Sequence, residues 1–193
     1  MLWELAERVH PLILVEKTPI TAARVEHMQR ALAACPTARF LHLVRHPLGF
    51  SQSHLQFLER MNRPFRDPQL TWHKAHSNIR AFLATVPSEQ QMRVRGEDLL
   101  ADPDHHLREI AEWTELRSDP EAIEEMKHPE QSPFASFGPP KALMGGDPNF
   151  FRRPTLRASK VNVQSLEGPL PWRKDGLGFT KEVRELASQF GYI

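Results

Sequence analysis

Apolar positions along the chain change period several times, and each change predicts an element. Leu12 to Val15 is a continuous apolar run with β-branched members, ending at the charged pair Glu16-Lys17 and then Thr18-Pro19. Such a run predicts a buried parallel strand with polar residues at its C-terminal end. From Thr21 the spacing becomes helical: Ala22, Val25, Met28 and Leu32 share one face, and Pro36 closes the segment. Arg39 to Val44 then predicts a second strand, with Phe40, Leu41, Leu43 and Val44 as its apolar mass. Arg45-His46-Pro47 opens another helix with proline in its first turn. Strand, helix, strand, helix implies a right-handed βαβ unit.

Further along, Trp72, Ala75, His76, Ile79, Phe82, Leu83 and Val86 form the clearest helical stripe, after a Pro-rich loop at 62–68 and before Pro87. Met92 to Arg95 predicts a short third strand. Glu97 to Leu100 turns into a helix that starts near Asp102-Pro103 and carries Leu107, Ile110, Ala111 and Thr114 on its apolar face. Between about 128 and 171 periodicity is lost among prolines and glycines, including Pro139-Pro140 and Gly145-Gly146-Asp147-Pro148; a segment of this length is expected to be functional or disordered. Phe179, Val183, Leu186, Ala187 and Phe190 restore a helical face, stopped by Gly191. The expectation is one domain over 1–193: an α/β, three-layer arrangement with a short parallel sheet, and the late Pro/Gly-rich segment laid over a ligand crevice.

Composition narrows the function classes. With 25 Lys and Arg against 24 Asp and Glu, the net charge of +1 gives no general affinity for nucleic acid or anionic membrane, so an anion site must be local. The single cysteine, Cys35, forms no intrachain disulfide; it is expected to be a buried helix-end residue in a reducing, cytoplasmic setting. No window approaches the ~20 apolar residues of a spanning helix. Ten histidines invite a metal site, yet His73/His76 and His105/His106 are read as lacking a matching Cys or carboxylate set, and no metal is expected. Trp72 and Trp113 are read as packing residues; Trp172 is left open.

The candidate chemistry lies in Glu16-Lys17-Thr18-Pro19 at one strand end and Arg45-His46-Pro47 at the next, because open α/β sheets bind ligands beyond the carboxyl ends of their strands. An arginine there can hold a phosphate through two hydrogen bonds, helped by the exposed N–H groups of the helix that follows. Gly49 would let the anion or its sugar approach the backbone.

These residues resemble the sulfotransferase family, specifically bacterial relatives dependent on 3′-phosphoadenosine-5′-phosphosulfate. Leu-Val-Arg45-His46-Pro47 followed by Ser53 looks like the family's 3′-phosphate-binding element, with Ser51 as the fallback if the register slips. The order of Glu16-Lys17-Thr18-Pro19, Arg95 to Leu100, Met126-x-His128-Pro129-Glu130, Pro171-Trp172 and Phe190-Gly191-Tyr192 extends the resemblance over nearly the whole chain. Gly96 departs from it, standing where the family often has Tyr.

The resemblance implies a P-loop NTPase-like sulfotransferase core and transfer of a sulfuryl group to a hydroxyl or amine. It gives Glu16 the role of general base and Lys17 that of charge stabiliser. Successive strand residues face opposite ways, so Glu16 and Lys17 share one target only if the strand has already ended. It also places Arg173 and Lys174, in Arg173-Lys174-Asp175-Gly176-x-Gly178, in a loop over the 3′-phosphate, and makes Glu97-Asp98 a turn that braces a neighbouring arginine. Nothing before Leu12 can be the family's 5′-phosphosulfate loop, and no Gly-x-x-x-x-Gly-Lys occurs elsewhere. The core is therefore expected to be incomplete at its N-terminus, with apolar sheet surface left for self-association or for pairing with a missing N-terminal segment. The alternatives kept open are a non-catalytic adenosine 3′,5′-bisphosphate-binding remnant or truncated gene product, and a P-loop-type kinase relative. The acceptor, whether small molecule, glycan, lipid or peptide, is not legible.

Overall fold

The computed structural model describes residues 4, 8, 13–17, 22, 24–132, 155–156 and 164–193. Its contacts divide the chain into two compact units, Met1–Arg93 with Val163–Ile193, and Val94–Asn162.

In the first unit, helix α1 (Val25–Ala34) leads to strand β1 (Phe40–Val44), helix α2 (Pro47–Arg60), helix α3 (Pro68–Leu83) and, after a 3₁₀ turn at Ser88–Gln90, the start of strand β2 (Gln91–Arg95). Helix α7 (Lys181–Gln189) closes the chain. β1 and β2 pair as a short parallel sheet, as the α/β reading expects. Along β1 the side chains alternate, with His42 and Val44 buried and Leu41 and Leu43 exposed.

The core of this unit has two parts. Val44, Trp72, Leu166, Leu170, Phe179, Val183, Leu186, Phe190 and Tyr192 form one cluster, against which Leu48, Phe50 and Trp172 pack. Met28, Phe82 and Val86 form the other, with Val25, Leu32, Phe40 and Ile79 around them. α3 contributes to both, because its apolar positions recur at helical spacing along its length and it packs against α1, α2 and α7.

In the second unit, the end of β2 passes into α4 (Gly96–Ala101), α5 (Pro103–Trp113) and α6 (Pro120–Met126), then a 3₁₀ turn at Pro129–Gln131. Ala111, Ala122 and Ile123 are buried here. α6 has no counterpart in the sequence reading, although its start repeats a visible signal. Asp67-Pro68, Asp102-Pro103 and Asp119-Pro120 each place proline at the first helical position and an aspartate at the cap, accepting from Gln69 N, His105 N and Ala122 N respectively.

Helix ends follow a common device. Asn62, Glu115 and Gly191 adopt positive φ of 47°, 61° and 86° just beyond α2, α5 and α7. In each case the next residue's N–H reaches back into the last turn: Arg63 to Leu58 O, Leu116 to Ala111 O, Tyr192 to Ala187 O. The stop expected at Gly191 is therefore formed by a paired backbone cap.

Three expectations are corrected. The strand expected at Leu12 to Val15 is not formed at residues 13–15, which lie outside regular structure, with Ile13 53% and Val15 81% exposed. Strand pairing among the described residues joins only β1 and β2, and an apolar run without a hydrogen-bonded neighbour has nothing to fix it in a sheet. Leu12 itself lies outside the described residues. The first helix begins at Val25 rather than near Thr21, with no side-chain cap at Arg24. Cys35 caps this helix as expected but is only half-buried. The Pro/Gly-rich segment expected over a crevice runs from about 128 to 171, and its residues 133–154 and 157–163 lie outside those described.

Candidate oxyanion site at the end of the first strand

β1 ends at Val44, and the next residue, Arg45, extends its side chain over the first turn of α2. Its Nη1 donates to Ser53 Oγ at 3.0 Å. Both residues are exposed. The eight-residue spacing thus places a guanidinium and a hydroxyl side by side above the N-terminal half of a helix, where backbone N–H groups and the helix dipole favour negative charge.

Gly49 permits this placement. A Cβ at position 49 would lie 3.0 Å from Arg45 Nε and 3.4 Å from Nη2. The missing side chain makes room for the arginine itself, whereas the sequence reading assigned that room to the ligand.

The backbone below is held from the core. Trp72, with no exposure, donates Nε1–H to Arg45 O at 2.9 Å. His46 caps α2 by accepting Leu48 N–H on Nδ1 at 3.1 Å, and its buried ring meets Tyr192 edge-on at 5.0 Å. Strand end, helix start and chain terminus are therefore fixed to one another. Ser51, the fallback position, is turned the other way: it is fully buried, and its Oγ has no hydrogen-bond partner among the described residues. Two residues along a helix differ by about 200°, so Ser53 and not Ser51 can meet Arg45.

The remaining sequence candidates are not joined to this pair. Glu16 and Lys17 are exposed, and no hydrogen bond or ion pair among the described residues links either to Arg45 or Ser53. Arg173 is engaged elsewhere. Its Nε and Nη2 grip Asp175 at 2.9 and 2.6 Å, and Nη1 lies 3.6 Å from Asp67. Asp175, held down to a pKa of about 2 chiefly by the Arg173 hydrogen bond, also accepts Leu177 N–H. Lys174 is exposed beside it. Gly178 allows a close backbone crossing, since a Cβ there would lie 2.6 Å from Gly168 O.

A buried imidazole pair escaped the sequence reading. His42 Nε2 and His76 Nδ1 share a hydrogen bond of 2.8 Å, and the His76 ring stands 4.5 Å from Trp72. Burial lowers the two pKa values to about 4 and about 3, with Arg93 adding to the effect on His42 and His42 to that on His76. The available signal was parity: His42 shares the inward face of β1 with Val44.

In the second unit, Arg95 forms a two-point ion pair with Asp98, at 2.6 and 3.0 Å, the bracing expected of the Glu97-Asp98 turn. His105, His106 and Glu109 each bring one possible ligand atom within 4.8 Å of the others. The reading that these histidines lack a matching carboxylate is corrected by Glu109, which lies one helical turn further on.

A guanidinium and a hydroxyl thus stand side by side over a helix start that follows the parallel strand of an α/β fold. Residues 2–120 match the model of the Sulfotransferase family, and the chain belongs to that family. Two solved structures share its fold. One is the sulfotransferase domain from the curacin biosynthetic pathway, at 24% identity and TM-score 0.73. The other is the sulfotransferase domain from the Synechococcus PCC 7002 olefin synthase, at 22% identity and TM-score 0.70. Each comparison covers 98% of this chain, which spans 66% and 62% of those two domains. No curated protein matches the chain. No helix among the described residues is long and apolar enough to cross a membrane.

Proposed function

We propose that this chain binds the 3′-phosphate of 3′-phosphoadenosine-5′-phosphosulfate through Arg45 and Ser53 and takes part in sulfuryl transfer to a hydroxyl or amine acceptor. The observation that carries the reading is the 3.0 Å contact from Arg45 Nη1 to Ser53 Oγ, formed over Gly49 at the start of α2. The arrangement fits a phosphate: the guanidinium keeps further N–H groups for phosphate oxygens, and the Ser53 hydroxyl can donate to the same group.

In this reading Glu16 accepts the proton of the acceptor as its oxygen or nitrogen bonds to sulfur. The bond from sulfur to the 5′-phosphate oxygen breaks, and adenosine 3′,5′-bisphosphate leaves. Lys17 offsets charge nearby, and Lys174 adds positive charge toward the nucleotide, with Arg173 shaping the loop through Asp175. A small-molecule acceptor and a cytoplasmic setting belong to the same proposal.

A non-catalytic adenosine 3′,5′-bisphosphate-binding role is the second reading. It is favoured by the position of Glu16 and Lys17 on an exposed segment outside the sheet. Calorimetric titration with adenosine 3′,5′-bisphosphate tests both against no function at this site, because both require binding that Arg45→Ala removes. Turnover of the sulfate donor, lost in Glu16→Gln while nucleotide binding persists, then selects the enzyme.

A further inference from the structure

A depression of about 370 Å³ lies in the first unit, bounded by His42 from β1, Arg80, Leu83 and Ala84 from the end of α3, Val86 and Ser88 from the following turn, and Gln91 to Arg93 from the start of β2. In a parallel pair, the start of β2 lies at the end of the sheet opposite Arg45. The depression is therefore separate from the oxyanion site above.

Its charge is one-sided. Arg80 and Arg93 both line it, and neither lies within ion-pair distance of a carboxylate among the described residues. Arg80 donates Nη1–H to Gln189 Oε1, and Arg93 rests over the Phe190 ring at 5.2 Å from its centre. These contacts orient the two guanidiniums but neutralise neither, and each arginine has five N–H donors. No acidic side chain is among the lining residues. Glu89, beside the depression in sequence, accepts from Ser88 Oγ at 3.3 Å.

The negative end of α3 does not cancel this field. Gln91 Nε2 donates to Leu83 O at 3.0 Å and Val86 O at 2.8 Å, so carbonyls that would face an anion are already covered. The positive field also reaches His42, where Arg93 opposes protonation. Two arginines line one depression without a carboxylate partner among the described residues, and a bound oxyanion would offset their charge through charge-assisted hydrogen bonds.

We propose that the depression bounded by Arg80, Arg93, Ser88 and His42 is a second oxyanion site, taking a compact phosphate or sulfate group at the sheet end opposite Arg45. Because it uses no residue of the Arg45 site, the two proposals stand or fall separately.

The test is a chemical-shift titration of ¹⁵N-labelled protein with sodium phosphate and, separately, sodium sulfate, at constant ionic strength. Wild type, Arg45→Ala, Arg80→Ala and Arg93→Ala are compared, each checked for folding by circular dichroism; both depression arginines are exposed, so their variants should fold. The expected result is saturable shifts at the amides of Ser88 and Arg93 that persist in Arg45→Ala and weaken about tenfold in Arg80→Ala and Arg93→Ala. Which ion saturates at lower concentration identifies the source of the group. Absence of saturable shifts at these amides in the folded wild type, or unchanged titrations in both depression variants, would overturn the proposal.

Discussion

Arg45 and Ser53 stand eight residues apart in sequence and 3.0 Å apart in space, the guanidinium donating to the hydroxyl across the first turns of α2. Neither residue is buried, so the pair contributes little to stability. Ser53→Ala should therefore leave the denaturant midpoint nearly unchanged while weakening adenosine 3′,5′-bisphosphate binding by about tenfold or more, the effect of losing one hydrogen bond to a charged group. Calorimetry beside a urea titration checks both halves. An affinity equal to wild type would remove Ser53 from the site.

Gly49→Ala should move affinity and stability in opposite directions. The added methyl would sit 3.0 Å from Arg45 Nε and push the guanidinium off its position over the helix. Alanine in a helix is favoured over glycine by up to about 1 kcal/mol, so stability should hold or rise. A variant that binds nucleotide as wild type does would mean that the observed Arg45 position is not the binding one.

The backbone crossing in the C-terminal loop predicts a structural cost. A Cβ at position 178 would approach Gly168 O to 2.6 Å, and Gly168 itself holds φ of 95°. Gly178→Ala should destabilise by about 1–3 kcal/mol, through the overpacking strain of a methyl forced against backbone. The urea midpoint should fall. An unchanged midpoint would mean that the crossing relaxes without penalty.

Acid should weaken the fold before carboxylates titrate. His42 and His76 have folded pKa values of about 4 and about 3, below the ordinary 6.5 that the unfolded chain regains. Between pH 6.5 and about 4 the unfolded state therefore binds more protons than the folded one, and stability falls with pH. His128 shifts the opposite way beside Glu130 and Glu124, but it is exposed and its effect is screened. Urea midpoints should drop from pH 7 to pH 5, and the drop should be smaller in a His42→Gln, His76→Gln double variant. An equal drop in both would assign the acid sensitivity elsewhere.

The legible parts of this protein are those in which local pattern and tertiary context agree. The helical stripe from Trp72 to Leu83, the helix opened by Pro47 and the stop at Gly191 are determined within one or two turns, and they formed where the pattern placed them. Ile13 to Val15 carry a strand's composition, but a strand is completed by its neighbours, and none among the described residues pairs with this segment. The site divides the same way. Arg45 and Ser53 meet because a helix fixes their spacing, and spacing is visible in sequence. The commitment of Arg173 to Asp67 depends on a contact across more than a hundred residues, and the His42–His76 bond joins a strand to a helix. Local spacing fixes neither pairing, although parity along β1 marks His42 as inward-facing.

In the proposed function, sulfate-donor recognition rests on the 3′-phosphate, and one comparison isolates it: the affinities of adenosine 3′,5′-bisphosphate and adenosine 5′-monophosphate, measured by calorimetry on wild type and on Arg45→Ala. The account predicts that wild type prefers the bisphosphate by about tenfold to a hundredfold and that the preference disappears in the variant, since the two ligands differ only in the group that Arg45 holds. A preference that survives intact in folded Arg45→Ala, or no preference in wild type, would contradict it.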